Sequence, residues 1–79
     1  MIEIGGQIYQ ATVGSDLQRD GMYLEVEDGA KAMVAEVFYS DQNGSMAFTA
    51  YRPDIALELV EWMIARAKER LVPVRGDGS

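Results

Sequence analysis

An Asn-Gly pair at residues 43–44 is the feature that most constrains the fold of this 79-residue chain. It lies between two runs rich in strand-forming residues, MVAEVFYS at 33–40 and SMAFTAY at 45–51. Asn and Gly both tolerate the positive φ that a tight hairpin turn requires. The pattern therefore predicts two antiparallel strands joined by a short loop.

The length of that loop decides which side chains share a face of the hairpin. Loops of two and of four residues keep the same odd-even relation between the strands. One face then carries Ala35, Val37, Tyr39, Met46, Phe48 and Ala50. We expect this face to be buried beneath a helix, and replacement of Phe48 by Ala should then cost about 3 to 5 kcal/mol.

Two further strands are expected before the hairpin. Apolar and polar residues alternate over 21–27, the pattern of a half-buried strand, and Asp28-Gly29 ends it. A short turn there implies antiparallel pairing with the 33–40 strand. A third strand is expected over about 7–13, where Gly5-Gly6 either breaks the run or marks a bulge. The polar stretch from Gly14 to Gly21 is expected to be mostly loop.

After Tyr51 the apolar period changes from two residues to 3.6, which indicates a helix. Pro53 suits its first turn, Asp54 can cap or complement its N-terminus, and Pro73 ends it. The apolar stripe comprises Ala56, Leu59, Val60, Met63, Ile64, Ala67 and Leu71. The prediction is an α+β fold: a four-stranded antiparallel β-meander followed by one C-terminal amphipathic helix packed on one sheet face. Residues 1–72 are expected to form a single domain, and residues 73–79 a flexible tail.

Composition narrows the classes of function. The chain has no cysteine and no histidine, so disulfides, thiolate metal sites and the commonest catalytic bases are missing. The net charge of −6, with few clustered Lys and Arg, disfavours direct nucleic-acid binding. No apolar run approaches the ~18 residues of a membrane span, and the N-terminus does not resemble a signal peptide. A cytoplasmic protein without cofactor or metal is expected.

Three short motifs have functional interpretations weaker than their structural ones. Residues 41–45 resemble the start of a calcium loop, but the glycine is misplaced and Arg52 stands where a bidentate acid is needed. The acidic group Glu25, Glu27 and Asp28 could hold a cation, although charges on a strand edge also deter aggregation. Residues 75–77, Arg-Gly-Asp, match an integrin motif and are expected to be a coincidence in the tail.

The outer sheet face is the expected interaction surface. Val34, Phe38, Tyr51 and Tyr23 would form an aromatic patch there, which in soluble proteins usually marks an interface. Trp62 lies about 130° from the centre of the helical apolar stripe, one turn from Arg66. These two residues either stack at the margin of the sheet or anchor a partner.

Three functions follow from these features. The first is a small protein-interaction module, a homodimer without catalytic activity. The second is an acidic decoy or inhibitor that binds a basic protein partner, such as a nucleic-acid-binding protein or a toxin. The third is a small enzyme that uses carboxylate chemistry.

Overall fold

Five strands precede one helix in the computed structural model, which describes residues 1–73. They are β1 (Ile2–Ile4), β2 (Gln7–Asp16), β3 (Gly21–Asp28), β4 (Met33–Ser40) and β5 (Met46–Ala50), followed by α1 (Leu57–Arg70). Each strand pairs antiparallel with the next, so β1 and β5 are the edges of the sheet. The α+β meander with one C-terminal helix is confirmed, but the sheet has five strands rather than four.

The additional strand comes from a tight hairpin at Gly5-Gly6. Both glycines have positive φ, 58° and 77°, and the turn brings Ile4 opposite Gln7. Only glycine adopts two such conformations in succession without steric cost, which makes the pair a two-residue turn rather than a bulge. At its other end β2 continues to Asp16, so the loop is residues 17–20 and the prediction of a loop over 14–21 was too long.

The predicted register of the β4–β5 hairpin is confirmed. Val37 is opposite Phe48, and Tyr39 is opposite Met46. On its other side β4 pairs with β3, where Leu24 is opposite Val37. The register shifts after Val26, where a β-bulge leaves Val34 without a partner on β3.

The helix covers the middle of the sheet. It contacts β3 and β4, and the core cluster is formed by Leu24, Val26, Val34, Ala35, Val37, Leu59, Met63, Ala67 and Leu71. Phe48 is 42% exposed and Ile64 is 44% exposed. The expectation that Phe48 lies beneath the helix is therefore wrong: α1 is centred on β3 and β4, and Phe48 lies at its side.

The helix begins later than the sequence predicts. Its N-cap is Ala56, which makes no side-chain capping bond, and Pro53 and Asp54 lie in the preceding bend. Asp54 has φ 55°, which is not a helical value. The C-terminal end agrees with the prediction, since α1 ends at Arg70 and the Leu71 N–H donates to the Ala67 carbonyl at 2.8 Å. Within residues 1–73 no helix has the length and apolar character to cross a membrane.

Candidate interaction surfaces

The β5 edge of the sheet is open and uncharged. Its sequence, MAFTA, contains no charged residue and no proline. Natural proteins usually protect an edge strand with lysine, proline, a bulge or extreme shortness. The opposite edge, β1, has only three residues and carries Glu3. Of the two edges, β5 is the one that lacks protection.

Hydrogen bonds at the two ends of the β4–β5 ladder define which β5 backbone groups face outward. The Tyr51 N–H donates to the Val34 carbonyl at 2.9 Å, and the Ser40 N–H donates to the Ser45 carbonyl at 2.9 Å. Because paired positions alternate in an antiparallel ladder, Ala47 and Thr49 bond to β4. The N–H and C=O groups of Met46, Phe48 and Ala50 therefore point away from β4.

An apolar groove adjoins this edge on the helix side. Phe48 and Ile64, both more than 40% exposed, lie in its lining. The other lining residues are Val37, Met46, Ala47, Ala67 and Lys68. An uncharged edge strand and exposed apolar side chains are thus contiguous, and together they form what we call the β5 surface: Met46–Ala50 with Ile64.

Arg19 lies over Phe38 on the outer sheet face. Its guanidinium carbon is 4.1 Å from the centroid of the Phe38 ring. The same group binds Glu36 through both carboxylate oxygens, at 3.1 and 2.9 Å, and its Nε donates to Asp16 Oδ2 at 2.6 Å. Arg19 belongs to the β2–β3 turn, which Asp16 fixes by accepting bonds from the Gln18 and Arg19 N–H groups. The turn therefore folds a cation over the predicted aromatic patch.

The predicted patch is consequently not a continuous exposed surface. Val34 is 2% exposed and belongs to the core cluster, next to the register shift in β3–β4 pairing, so its expected exposure is wrong. Phe38 is half-buried under Arg19. Tyr23 is half-buried over Gly14, where an added Cβ would lie 2.5 Å from the tyrosine hydroxyl oxygen. Tyr51, at 52%, is the exposed member of the four.

A carboxylate pair lies below Arg19 on this face. Glu25 and Glu36 are opposite each other on β3 and β4, and Glu36 is only 7% exposed. Burial raises the pKa of Glu25 above its usual 4.5, and repulsion from Glu36 and Glu27 raises it further. The hydrogen bonds from Arg19 compensate the charge on Glu36, while the Glu25 carboxylate has no such bond among residues 1–73.

Asp28 has a structural role rather than an open ligand position. Its Oδ1 accepts the N–H groups of Ala30 and Ala32, each at 2.9 Å, and its Oδ2 accepts a 2.6 Å bond from Arg52. The Arg52 bond is the largest cause of its lowered pKa. Across residues 1–73 no three acidic side chains converge as a metal site would require.

The 41–45 segment is a hairpin turn, as its turn residues predict. Gly44 has φ 72°, and Asn43 Oδ1 accepts bonds from the N–H and hydroxyl of Ser45. These bonds give the Asn43 side-chain amide a structural role in the turn. The Arg-Gly-Asp motif at 75–77 lies outside the described residues.

A second groove lies on the other side of the helix. It separates α1 from β1 and β2, has a volume of about 400 Å³, and is lined by Met1, Ile2, Ala11, Val13, Leu24, Trp62, Arg66 and Arg70. Trp62 is half-buried and packs against the core, and Arg66 lies 5.8 Å above its ring. The predicted stacking of Trp62 with Arg66 is present at the margin of the sheet.

Comparisons of this chain with protein-family models, with curated proteins and with solved structures find no match. The surfaces described above are therefore the basis for assigning a function. They comprise an unprotected strand edge beside an apolar groove, a polar outer face covered by Arg19, and an arginine-rimmed groove at Trp62.

Proposed function

We propose that this protein is a small interaction module that forms a homodimer by pairing its edge strand β5 with β5 of a second copy. The proposal assigns it binding and no catalysis. The observation that carries it is the uncharged β5 edge, whose outward backbone groups at Met46, Phe48 and Ala50 have no partner among residues 1–73. An added strand would satisfy those groups by main-chain hydrogen bonds.

A second copy fits this edge because the outward positions are symmetric about Phe48. In an antiparallel pair related by a two-fold axis at Phe48, Met46 of each copy lies opposite Ala50 of the other. A large side chain then faces a small one, and the two Phe48 rings become neighbours. Both helices lie on the same side of the continuous sheet, which brings each Ile64 toward the shared apolar seam.

Electrostatics also favour this surface over the rest of the molecule. Two copies that each carry −6 repel one another, and the repulsion is smallest where the contact has no acidic side chain. Tyr51, which follows Ala50, is also uncharged and would lie beside the Met46 end of the partner strand. The outer face, by contrast, would have to bury the half-exposed Glu25 and Glu27, and desolvating them is costly.

The acidic-decoy function has weaker support from the geometry. Decoy binding requires carboxylates that are free to pair with a basic partner. Arg19 binds both Asp16 and Glu36, and Arg52 binds Asp28. Part of the acidic surface is thus compensated within the chain.

The experiment compares the solution mass of wild type and variants by sedimentation equilibrium over a concentration series. The wild type should approach twice 8.7 kDa. Ala50→Pro removes an outward N–H and places a ring at the edge, while the ladder to β4 stays intact. Phe48→Lys places two like charges together at the axis. Both variants should be folded monomers.

Leu17→Lys is the matched control for Phe48→Lys. Leu17 is 92% exposed in the β2–β3 turn, away from β5, so this variant should still dimerise. A wild type that stays monomeric at every concentration would refute self-association. A dimer that survives Ala50→Pro would place the interface elsewhere, and Phe38→Glu would then test the outer face.

A further inference from the structure

The turn between β4 and β5 contains the single asparagine of the chain, Asn43, and a glycine follows it. Because glycine has no side chain to shield its backbone nitrogen, that nitrogen can attack the Cγ of the preceding asparagine. A bond then forms between the Gly44 nitrogen and Cγ, the Cγ–Nδ2 bond breaks, and Nδ2 leaves as ammonia with the Gly44 proton. Water opens the resulting cyclic imide to give either aspartate or isoaspartate.

In the folded turn both reacting groups are held in hydrogen bonds. The Gly44 N–H donates to the Ser40 carbonyl at 2.8 Å. Asn43 Oδ1 accepts a bond from the Ser45 N–H at 3.0 Å and one from the Ser45 hydroxyl at 2.7 Å. The attacking nitrogen and the amide it would attack are therefore each bound to another partner.

The bond to Ser40 opposes the reaction at its first step. The Gly44 nitrogen must lose its proton before it attacks, and the anion would then face the Ser40 carbonyl oxygen. Hydrogen bonding to the protonated form of a group disfavours its deprotonation. The bonds from Ser45 oppose the second step, because an amide anchored in the turn is not free to bring its Cγ to the Gly44 nitrogen.

We infer that Asn43 is a deamidation site that reacts only when the β4–β5 hairpin opens. Residues 41–45 are all exposed, so water reaches the turn and the hydrogen bonds, rather than burial, provide the protection. Aspartate at residue 43 keeps an acceptor for the Ser45 donors. Isoaspartate adds a carbon to the main chain, so the tight turn cannot form again. The reaction therefore leaves a permanent record of opening, and it does not depend on the proposed dimer.

The test follows the gain of mass at Asn43 by mass spectrometry of proteolytic fragments after incubation at mildly alkaline pH. The protein at low concentration is compared with a peptide of residues 40–46, which lacks the rest of the sheet. Deamidation should be slower in the protein by about tenfold or more, since three hydrogen bonds must break first. Hydrogen exchange of the Gly44 amide measures the same opening, and its protection should agree with that slowing within about threefold.

Ser45→Ala distinguishes anchoring of the amide from its activation. Donors to Oδ1 would also stabilise the charge that develops there during attack. If the bonds anchor the amide, loss of the hydroxyl should speed the reaction about threefold to tenfold. Ser15→Ala is the matched control, because Ser15 is an exposed serine on β2, outside the turn, and it should react at the wild-type rate.

The two products provide a second measurement. Asn43→Asp should protect the Gly44 amide to within about threefold of wild type, because its carboxylate accepts the same bonds. Chains deamidated in urea and returned to buffer should recover this protection when residue 43 is aspartate and lack it when residue 43 is isoaspartate. Equal rates in protein and peptide, a slower reaction in Ser45→Ala, or recovery in the isoaspartyl chains would each overturn the inference.

Discussion

At the scale of single residues, Arg19 determines the character of the outer sheet face. One guanidinium binds two oxygens of Glu36 and one of Asp16 while it lies over Phe38. These bonds raise the pKa of Arg19 further above its usual range, so the guanidinium stays charged. Because of these contacts, this part of the outer face carries a network of charged groups above the Phe38 ring.

Glu25 is the carboxylate that Arg19 leaves without a hydrogen bond, and Glu25→Gln tests the cost of keeping it ionised. Its pKa is raised in the folded state, so the folded protein binds the proton more tightly than the unfolded chain. The wild type should therefore be less stable than Glu25→Gln at pH 7. That deficit should shrink as the pH falls through the raised pKa and be gone below about pH 4.5. Urea unfolding between pH 3 and 7 measures it.

In the same urea measurement, Asp28→Asn should be less stable than the wild type, the opposite of the effect expected for Glu25→Gln. The pKa of Asp28 is lowered below 3.8, chiefly by the bond from Arg52, so the ionised form stabilises the fold. The advantage of the wild type over Asp28→Asn should persist above pH 3.8 and decline as the pH falls through the lowered pKa. If the stability difference between wild type and Glu25→Gln does not change with pH, burial and repulsion do not shift the pKa of the Glu25 carboxyl group.

At the scale of elements, the position of α1 divides large apolar residues into buried and half-exposed classes. Leu24 is 1% exposed beneath the helix, and its replacement by Ala should cost about 2 to 5 kcal/mol. Phe48 is 42% exposed, so Phe48→Ala should cost only about 1 to 2 kcal/mol. Urea unfolding at a concentration low enough to keep the protein monomeric compares the two. Equal costs would place the helix over β5.

The sequence predicted the elements that have strong local signals. Asn43-Gly44 indicated β4, β5 and their register, and the alternation over 21–27 indicated β3, because turn chemistry and side-chain parity act within a few residues. β1 was missed because three residues carry too little periodicity. The late start of α1 was missed because Pro53 and Asp54 are compatible with either a first turn or a preceding bend.

The candidate surfaces were harder to predict because they depend on packing between distant segments. Trp62 and Arg66 were identified from their helical spacing alone. The floor of their groove required β1, β2 and the lateral position of α1, which no local pattern contains. The β5 edge did carry a sequence signal, because MAFTA is the last strand of a meander and has no charge or proline. The aromatic residues Tyr23, Phe38 and Tyr51 instead indicated the outer face.

At the scale of the whole molecule, the helix over β3 and β4 leaves a groove on each side of it, and the two grooves differ in chemistry. The groove at β5 is apolar, with exposed Phe48 and Ile64. The groove at β1 and β2 has an arginine rim. One helix position therefore accounts for both grooves.

Amide hydrogen exchange provides a test of the proposed dimer across the whole molecule. Protection should be greatest in β3, β4 and α1, whose side chains form the core, and least in β1 at the short edge. In β5 the N–H groups of Ala47 and Thr49 bond to β4, whereas those of Met46, Phe48 and Ala50 point outward. In dilute monomer the outward three should exchange rapidly.

Raising the protein concentration should slow exchange at Met46, Phe48 and Ala50 selectively, because strand pairing gives these N–H groups acceptors in the second copy. Ala47 and Thr49 should change less, since their bonds to β4 exist in the monomer. The Phe48→Lys variant supplies the control, because its amides should exchange at the same rate at every concentration. Slowing confined to Tyr23 and Phe38 would instead place the partner on the outer face. Slowing that depends on concentration and falls on alternate β5 residues is a pattern that only an added strand produces.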